Sequence, residues 1–186
     1  MKITGLETRL FSSQHSNAKR NWLIVMLHTD EGIDGIGEAS MLGFDPIVAS
    51  LLEEWGEAYL VGKDPMANEL HWMRLYQDNI GRGGRLFSTA LSGIDLALWD
   101  LRGKAAELRV ADVLSDSPAT DIPAYLTMGM AGDDLEAGIA GALEEGYRMI
   151  KLGLGSYKLS DANRLVEVVG HVRQRVGPDV ELTVDV

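Results

Sequence analysis

Asp185 and Lys151 are charged residues set in short apolar runs, Asp185 after Leu182-Thr183-Val184 and Lys151 between Ile150 and Leu152. Functional side chains are often placed at such strand ends, but by themselves both residues have ordinary readings. Asp185 can be an acid near a chain end, and Lys151 a lysine whose stem packs at a strand end while its head reaches water. A third group is the polar run Ser12-Ser13-Gln14-His15-Ser16-Asn17-Ala18-Lys19-Arg20. Its His15, Asn17, Lys19 and Arg20 offer hydrogen-bond donors and positive charge; the plain alternative is a solvated hairpin loop. Gly153-Leu154-Gly155-Ser156 follows a strand-like run and precedes a helical one, where backbone N–H groups could cradle phosphate. The spacing fails: a dinucleotide fingerprint needs glycine where Lys158 stands, and no Gly-Lys-Ser/Thr opens the helix. Arg82 and Arg85, among Gly81, Gly83 and Gly84, mark a turn.

The elements that must position these residues fall into two series. Lys2 to Phe11 and Trp22 to Ser40 read as strands, with a turn at Thr29-Asp30-Glu31-Gly32, so a small antiparallel sheet is predicted. Asp45-Pro46 and Asp64-Pro65 each place a capping carboxylate before a proline suited to a first helical position, so helices are expected from there to about Tyr59 and Asp78. A polar linker, Ser115 to Asp121, follows a long helix. Beyond it, Ile122 to Met128 reads as a buried strand, Asp133 to Glu145 as a helix closed by Gly146, and Arg148 to Leu152 as a second strand. Leu159 to Val176 reads as a helix with Leu165, Val168, Val169, Val172 and Val176 on one side, and Val180 to Val186 as a third strand. This is a βαβαβ series, which could begin a doubly wound sheet or a (β/α)8 barrel.

Bulk properties narrow the function class. The chain has 186 residues, is 46% hydrophobic and carries a formal charge of -11. Without clustered Lys and Arg, this balance argues against nucleic acid or an anionic membrane as partner. No leader pattern and no apolar run of membrane-spanning length is visible, and there are no cysteines. A cytoplasmic protein with no disulfides is expected.

The most specific pattern is Ser88 to Ala105, STALSGIDLALWDLRGKA. Leu91, Ile94, Ala97, Leu98, Leu101 and Ala105 recur at three- and four-residue steps, predicting a helix with one buried stripe, and Asp95, Asp100, Arg102 and Lys104 lie off it. Ile94-Asp95, Ala97-Leu98-Trp99-Asp100 and Gly103-Lys104, in this order, resemble the signature helix of the enolase superfamily. The likeness is to the mandelate racemase / muconate lactonizing enzyme branch that includes sugar-acid dehydratases, in its N-terminal portion only.

That resemblance implies an α+β capping domain, residues 1–121, followed by the start of a (β/α)8 TIM barrel, residues 122–186, truncated after about three barrel strands. A closed barrel takes about 250 residues and eight strands, so the chain is expected to be part of a longer protein and inactive alone. In the family, Mg²⁺ holds a substrate carboxylate while a base removes the proton on the adjacent carbon through an enediolate, and fixed cations stabilise the charge that develops. The resemblance maps Asp185 to the first of three metal carboxylates and Lys151 to the first lysine of a Lys-x-Lys strand. Gly153 stands where the second lysine, a base in racemases, would be. This departure disfavours a racemase or epimerase and leaves a dehydratase, a carbon–oxygen lyase whose base lies outside this chain, with Lys151 as an electrostatic helper. The hairpin loop with His15, Asn17 and Arg20 would contact a sugar-acid substrate. The full-length protein is expected to be a homo-oligomer. The contrasting reading is a non-catalytic remnant, or one half of a split assembly.

Overall fold

The computed structural model describes residues 1–15, 18–79, 81, 83–129, 134–153 and 162–185, excepting the side chains of 13–15, 18–20 and 134. The chain divides into two compact units, Met1–Pro118 and Ala119–Val186.

The first unit opens with an antiparallel meander of β1 (Ile3–His15), β2 (Ala18–Thr29) and β3 (Gly35–Glu38), in that spatial order. On β2 the period-two alternation buries Leu23, Val25 and Leu27 and leaves Ile24, Met26 and His28 half-covered. Pairing runs out to His15↔Ala18, well past the expected strand ends at Phe11 and Trp22. Of the residues read as a polar loop, 12–15 and 18–20 therefore continue the ladder. Backbone N–H and C=O groups pair whatever the side-chain polarity, so an apolar pattern underestimates a hairpin that extends beyond its core.

Helix α1 (Asp45–Trp55) begins at Asp45 as expected and runs into one wider turn, Gly56–Leu60. Its carboxylate does not cap the helix, however: Phe44 holds the N-cap position with no side-chain cap. Helix α2 (Asn68–Asn79) starts four residues later than Asp64. Asp64 instead accepts from the Met66 backbone N–H at 2.9 Å, and Asp64-Pro65-Met66-Ala67 is spent on a turn. A short α4 (Val110–Leu114), tied by a two-point Arg109–Asp112 ion pair at 2.7 Å, was not foreseen.

Helix α3 (Arg85–Ala106) carries the motif. Leu91, Ile94, Ala97, Leu98 and Leu101 are buried as the spacing requires, and each large apolar side chain contributes about 1.5–3 kcal/mol. Ala105 is exposed, because the last turn of the helix runs beyond the core. Two glycines let β3 lie directly on α3: a Cβ on Gly35 would sit 2.2 Å from the Ala97 oxygen, and one on Gly37 2.1 Å from the Gly93 oxygen. The charged residues off the stripe fasten this contact. Asp100 accepts from the Ile36 N–H at 2.7 Å, and Lys104 donates to the Asp34 carbonyl at 2.8 Å while pairing with Asp100 at 2.7 Å.

The second unit is a three-stranded parallel sheet, β4 (Leu126–Gly129), β5 (Met149–Gly153) and β6 (Glu181–Asp185), with helices α5 (Asp134–Glu144) and α6 (Ala162–Val176) in the crossovers. Met128, Ile139, Ile150, Leu152, Val172 and Val176 form its core, with Leu165, Val168 and Val169 packed against it. The first strand is shorter than expected: Ile122 is 82% exposed and pairing begins only at Leu126↔Ile150. Pro123 has no N–H to give a ladder, so the apolar residues before Leu126 are not drawn into the sheet. The expected helix start at Leu159 and strand end at Val186 lie outside the described residues.

Candidate functional site

Parallel pairing sets Thr127 beside Lys151 beside Thr183, and Gly129 beside Gly153 beside Asp185. Ile150 and Leu152 point to the buried side, so the alternate positions, Thr127, Lys151, Thr183 and Asp185, share the opposite face of the sheet. Among the described residues that face is polar. Asp185 closes β6 at its C-terminal end, the end at which (β/α) folds keep their chemistry.

The two residues considered separately in the sequence meet here. Lys151 Nζ lies 2.8 Å from Asp185 Oδ2, with side-chain exposures of 27% and 57%. The hydrogen bond to Asp185 raises the Lys151 pKa above its ordinary value, desolvation opposes that, and the Asp185 charge adds to it. Lys151 is therefore held as an ammonium, a donor and positive charge rather than a proton acceptor. Its head also stands 5.8 Å from the centre of the Tyr125 ring, an aromatic contact that no sequence signal beyond one tyrosine before a strand announces.

Gly153 faces Asp185 directly across the ladder. Among the described residues a Cβ there would meet nothing nearer than the Met128 oxygen at 3.7 Å, so their backbone leaves room for a side chain that the sequence does not supply. A hard dication needs several oxygen ligands. Asp185 offers one carboxylate, already hydrogen-bonded to an ammonium, and no group of three acidic, histidine or cysteine side chains suited to a metal occurs among the described residues. These residues by themselves do not make a Mg²⁺ site.

The hairpin residues belong to the other unit. Asn17 lies outside the described residues, as do the side chains of His15 and Arg20, whose backbones pair with Ala18 and Ser13. The base of that hairpin contains a polar relay that sequence reading missed. Ser12 Oγ donates to Asn21 Oδ1 at 2.9 Å, Asn21 Nδ2 donates to Asp45 Oδ2 at 3.0 Å, and the Met41 N–H donates to Asp45 Oδ1 at 2.8 Å. Asp45 is fully buried. Burial pushes its pKa up, but the hydrogen bonds from Asn21 and from backbone N–H groups outweigh that and hold it below the usual aspartate value. The Asp-Pro pair in the sequence signalled a helix start and gave no sign of this second task.

Residues 6–115 match the family described as mandelate racemase / muconate lactonizing enzyme, N-terminal domain. A D-galactonate dehydratase of Pectobacterium atrosepticum is 34% identical over 193 residues, a match covering all of this chain and 48% of that protein. The 3,6-anhydro-D-galactonate cycloisomerase of Zobellia galactanivorans superimposes with a TM-score of 0.85 at 25% identity, over 100% of this chain and 51% of that one. An enolase from Bradyrhizobium, complexed with magnesium and mandelic acid, superimposes with a TM-score of 0.83 at 25% identity, over 100% and 54%. The chain spans about half the length of the curated relatives it matches, and no helix among its described residues is long and apolar enough to cross a membrane.

Proposed function

Since this chain belongs to the mandelate racemase / muconate lactonizing enzyme family of the enolase superfamily, we propose that it forms the N-terminal part of a Mg²⁺-dependent sugar-acid dehydratase. Residues 1–121 would be the capping domain and residues 122–186 the opening of a (β/α)8 barrel, in a cytoplasmic homo-oligomer. In this reading the whole enzyme removes the proton next to a substrate carboxylate and expels a hydroxyl group through an enediolate. The observation that carries the reading is the Lys151–Asp185 pair on the polar face of the parallel strands. Bound Mg²⁺ would supply Lewis-acid stabilisation of the carboxylate, and Asp185 would be one of its ligands, the others lying outside this chain. Lys151, kept cationic by its neighbour, would bind an anionic oxygen and stabilise charge that grows during proton removal. Gly153, next to Asp185, supplies no base, which favours dehydration over two-base racemisation. His15, Asn17 and Arg20 would meet the hydroxyl groups of the sugar acid.

The test is turnover of D-galactonate and related sugar acids with Mg²⁺, by the native full-length protein and by this 20.3 kDa chain alone. The full-length protein should dehydrate at least one acid. Asp185→Asn should abolish that turnover, and Lys151→Met should lower kcat by about a hundredfold, the scale of losing one fixed stabilising donor. Activity that survives Asp185→Asn would remove the metal assignment. Turnover by the 186-residue chain alone would overturn the fragment reading. A native mass near 20.3 kDa with no activity would point instead to a non-catalytic remnant or half of a split assembly.

A further inference from the structure

Helices α2 and α3 leave between them a pocket of about 350 Å³ lined by Asn68, Glu69, Trp72, Met73, Asp95 and Trp99. Its polar groups are incompletely paired. Asn68 is only 2% exposed, yet neither its amide oxygen nor its amide nitrogen has a hydrogen-bond partner among the described residues. Buried amides are almost always paired, so an orphan at the wall of a pocket points to something that enters it. Asp95 is half-buried; burial pushes its carboxyl above the usual aspartate pKa, and a hydrogen bond from Trp99 only partly offsets this. Neither Asp95 nor Glu69 forms an ion pair among the described residues.

The walls are aromatic. Trp72 is 40% exposed and held by stacking on Tyr76, with ring centres 4.8 Å apart. Trp99 already accepts one guanidinium, that of Arg102, whose Cζ lies 5.5 Å from the ring centre. Two carboxylates without an ion pair, an unpaired amide oxygen and indole walls form an acceptor-rich slot, and the cation described beside it, Arg102, lies over the Trp99 ring. A small metal ion is a poor match, because it needs several oxygen ligands and no group of three acidic, histidine or cysteine side chains suited to a metal occurs among the described residues. A lysine ammonium is compact and strongly hydrated, whereas a guanidinium is planar, weakly hydrated, carries five N–H donors and stacks on aromatic faces.

We propose that this pocket binds a guanidinium group, namely an arginine side chain presented by a partner polypeptide. The surroundings favour a protein surface over a small molecule: Trp72, Met73 and Tyr76 continue an exposed apolar stripe along α2, and buried arginines beside aromatic residues are typical anchors of protein interfaces. The net charge of -11 draws a basic partner toward it.

The test follows the indole N–H signals of ¹⁵N-labelled protein during titration with acetyl-Gly-Arg-Gly-amide. The same peptide with citrulline keeps the shape and removes the charge; with lysine it keeps the charge and removes the plane. Expected are saturable shifts of the Trp72 and Trp99 signals, with Trp22 and Trp55 unmoved, and binding about tenfold weaker for either replacement peptide. Asp95→Asn should bring the arginine peptide down to the citrulline level. Trp72→Ala, at an exposed position that the fold does not need, should weaken arginine binding as well. Absence of saturable shifts, equal binding of the citrulline peptide, or full discrimination retained in both variants would overturn the proposal. Free arginine binding as tightly as the peptide would overturn the polypeptide as occupant.

Discussion

Asparagine in place of Asp45 changes one oxygen to an amide N–H₂ and removes a charge at the centre of the relay between the hairpin base and the loop before α1. Asp45 accepts from Asn21 at 3.0 Å and from the Met41 N–H at 2.8 Å while fully buried. A net hydrogen bond to a charged group contributes roughly 1.5–3 kcal/mol, and in the variant a donor faces a donor unless the Asn21 amide turns over and Ser12 Oγ becomes its acceptor. The expected loss is therefore about 3 kcal/mol, or roughly 10 °C in the melting temperature of a unit this size. All four tryptophans, Trp22, Trp55, Trp72 and Trp99, lie in Met1–Pro118, so urea unfolding followed by tryptophan fluorescence reads this unit alone. The pH dependence has a fixed sign. Because the folded-state pKa of Asp45 is lowered, its contribution is present in full above the ordinary aspartate value, near pH ~3.9, and is lost as pH falls below that through the native value. The parent should lose stability there and the variant should lose correspondingly less. An Asp45→Asn protein within about 0.5 kcal/mol of the parent, a change no larger than that of ordinary surface substitutions, would refute the reasoning. Parallel acid profiles for the two proteins would refute it too.

The same unfolding assay checks two backbone predictions. Gly37→Ala places a methyl 2.1 Å from the Gly93 oxygen and 2.9 Å from the Ala97 nitrogen, both backbone atoms that cannot turn aside; the loss should be about 3 kcal/mol or more. Gly5→Ala, where a Cβ meets nothing within 4 Å, serves as the tolerated control. Glu107 ends α3 with φ 56° in the left-handed region and is the non-glycine residue with positive φ among those described. Glu107→Gly should stabilise by about 1 kcal/mol, and an unchanged midpoint would mean that this cap stores no strain.

What could be read in advance was local. The three- and four-residue spacing of Leu91, Ile94, Ala97, Leu98 and Leu101 dictates which side of α3 is apolar, because a helix turns by a constant angle per residue, and those five are buried. The order of the motif residues likewise carried the family. Ala105 obeyed the same period yet is exposed, since periodicity gives the direction of a side chain but not how far the core extends along the helix. Asp45 and Asn21 are distant in sequence, and their meeting depends on where the hairpin base lands against α1. Lys151 and Asp185 stand on different strands, and only the register Gly153↔Asp185 brings their side chains within 2.8 Å. The side a residue faces follows from its own segment's geometry; the partner it finds there is chosen by the packing of segments whose separation along the chain leaves no local trace.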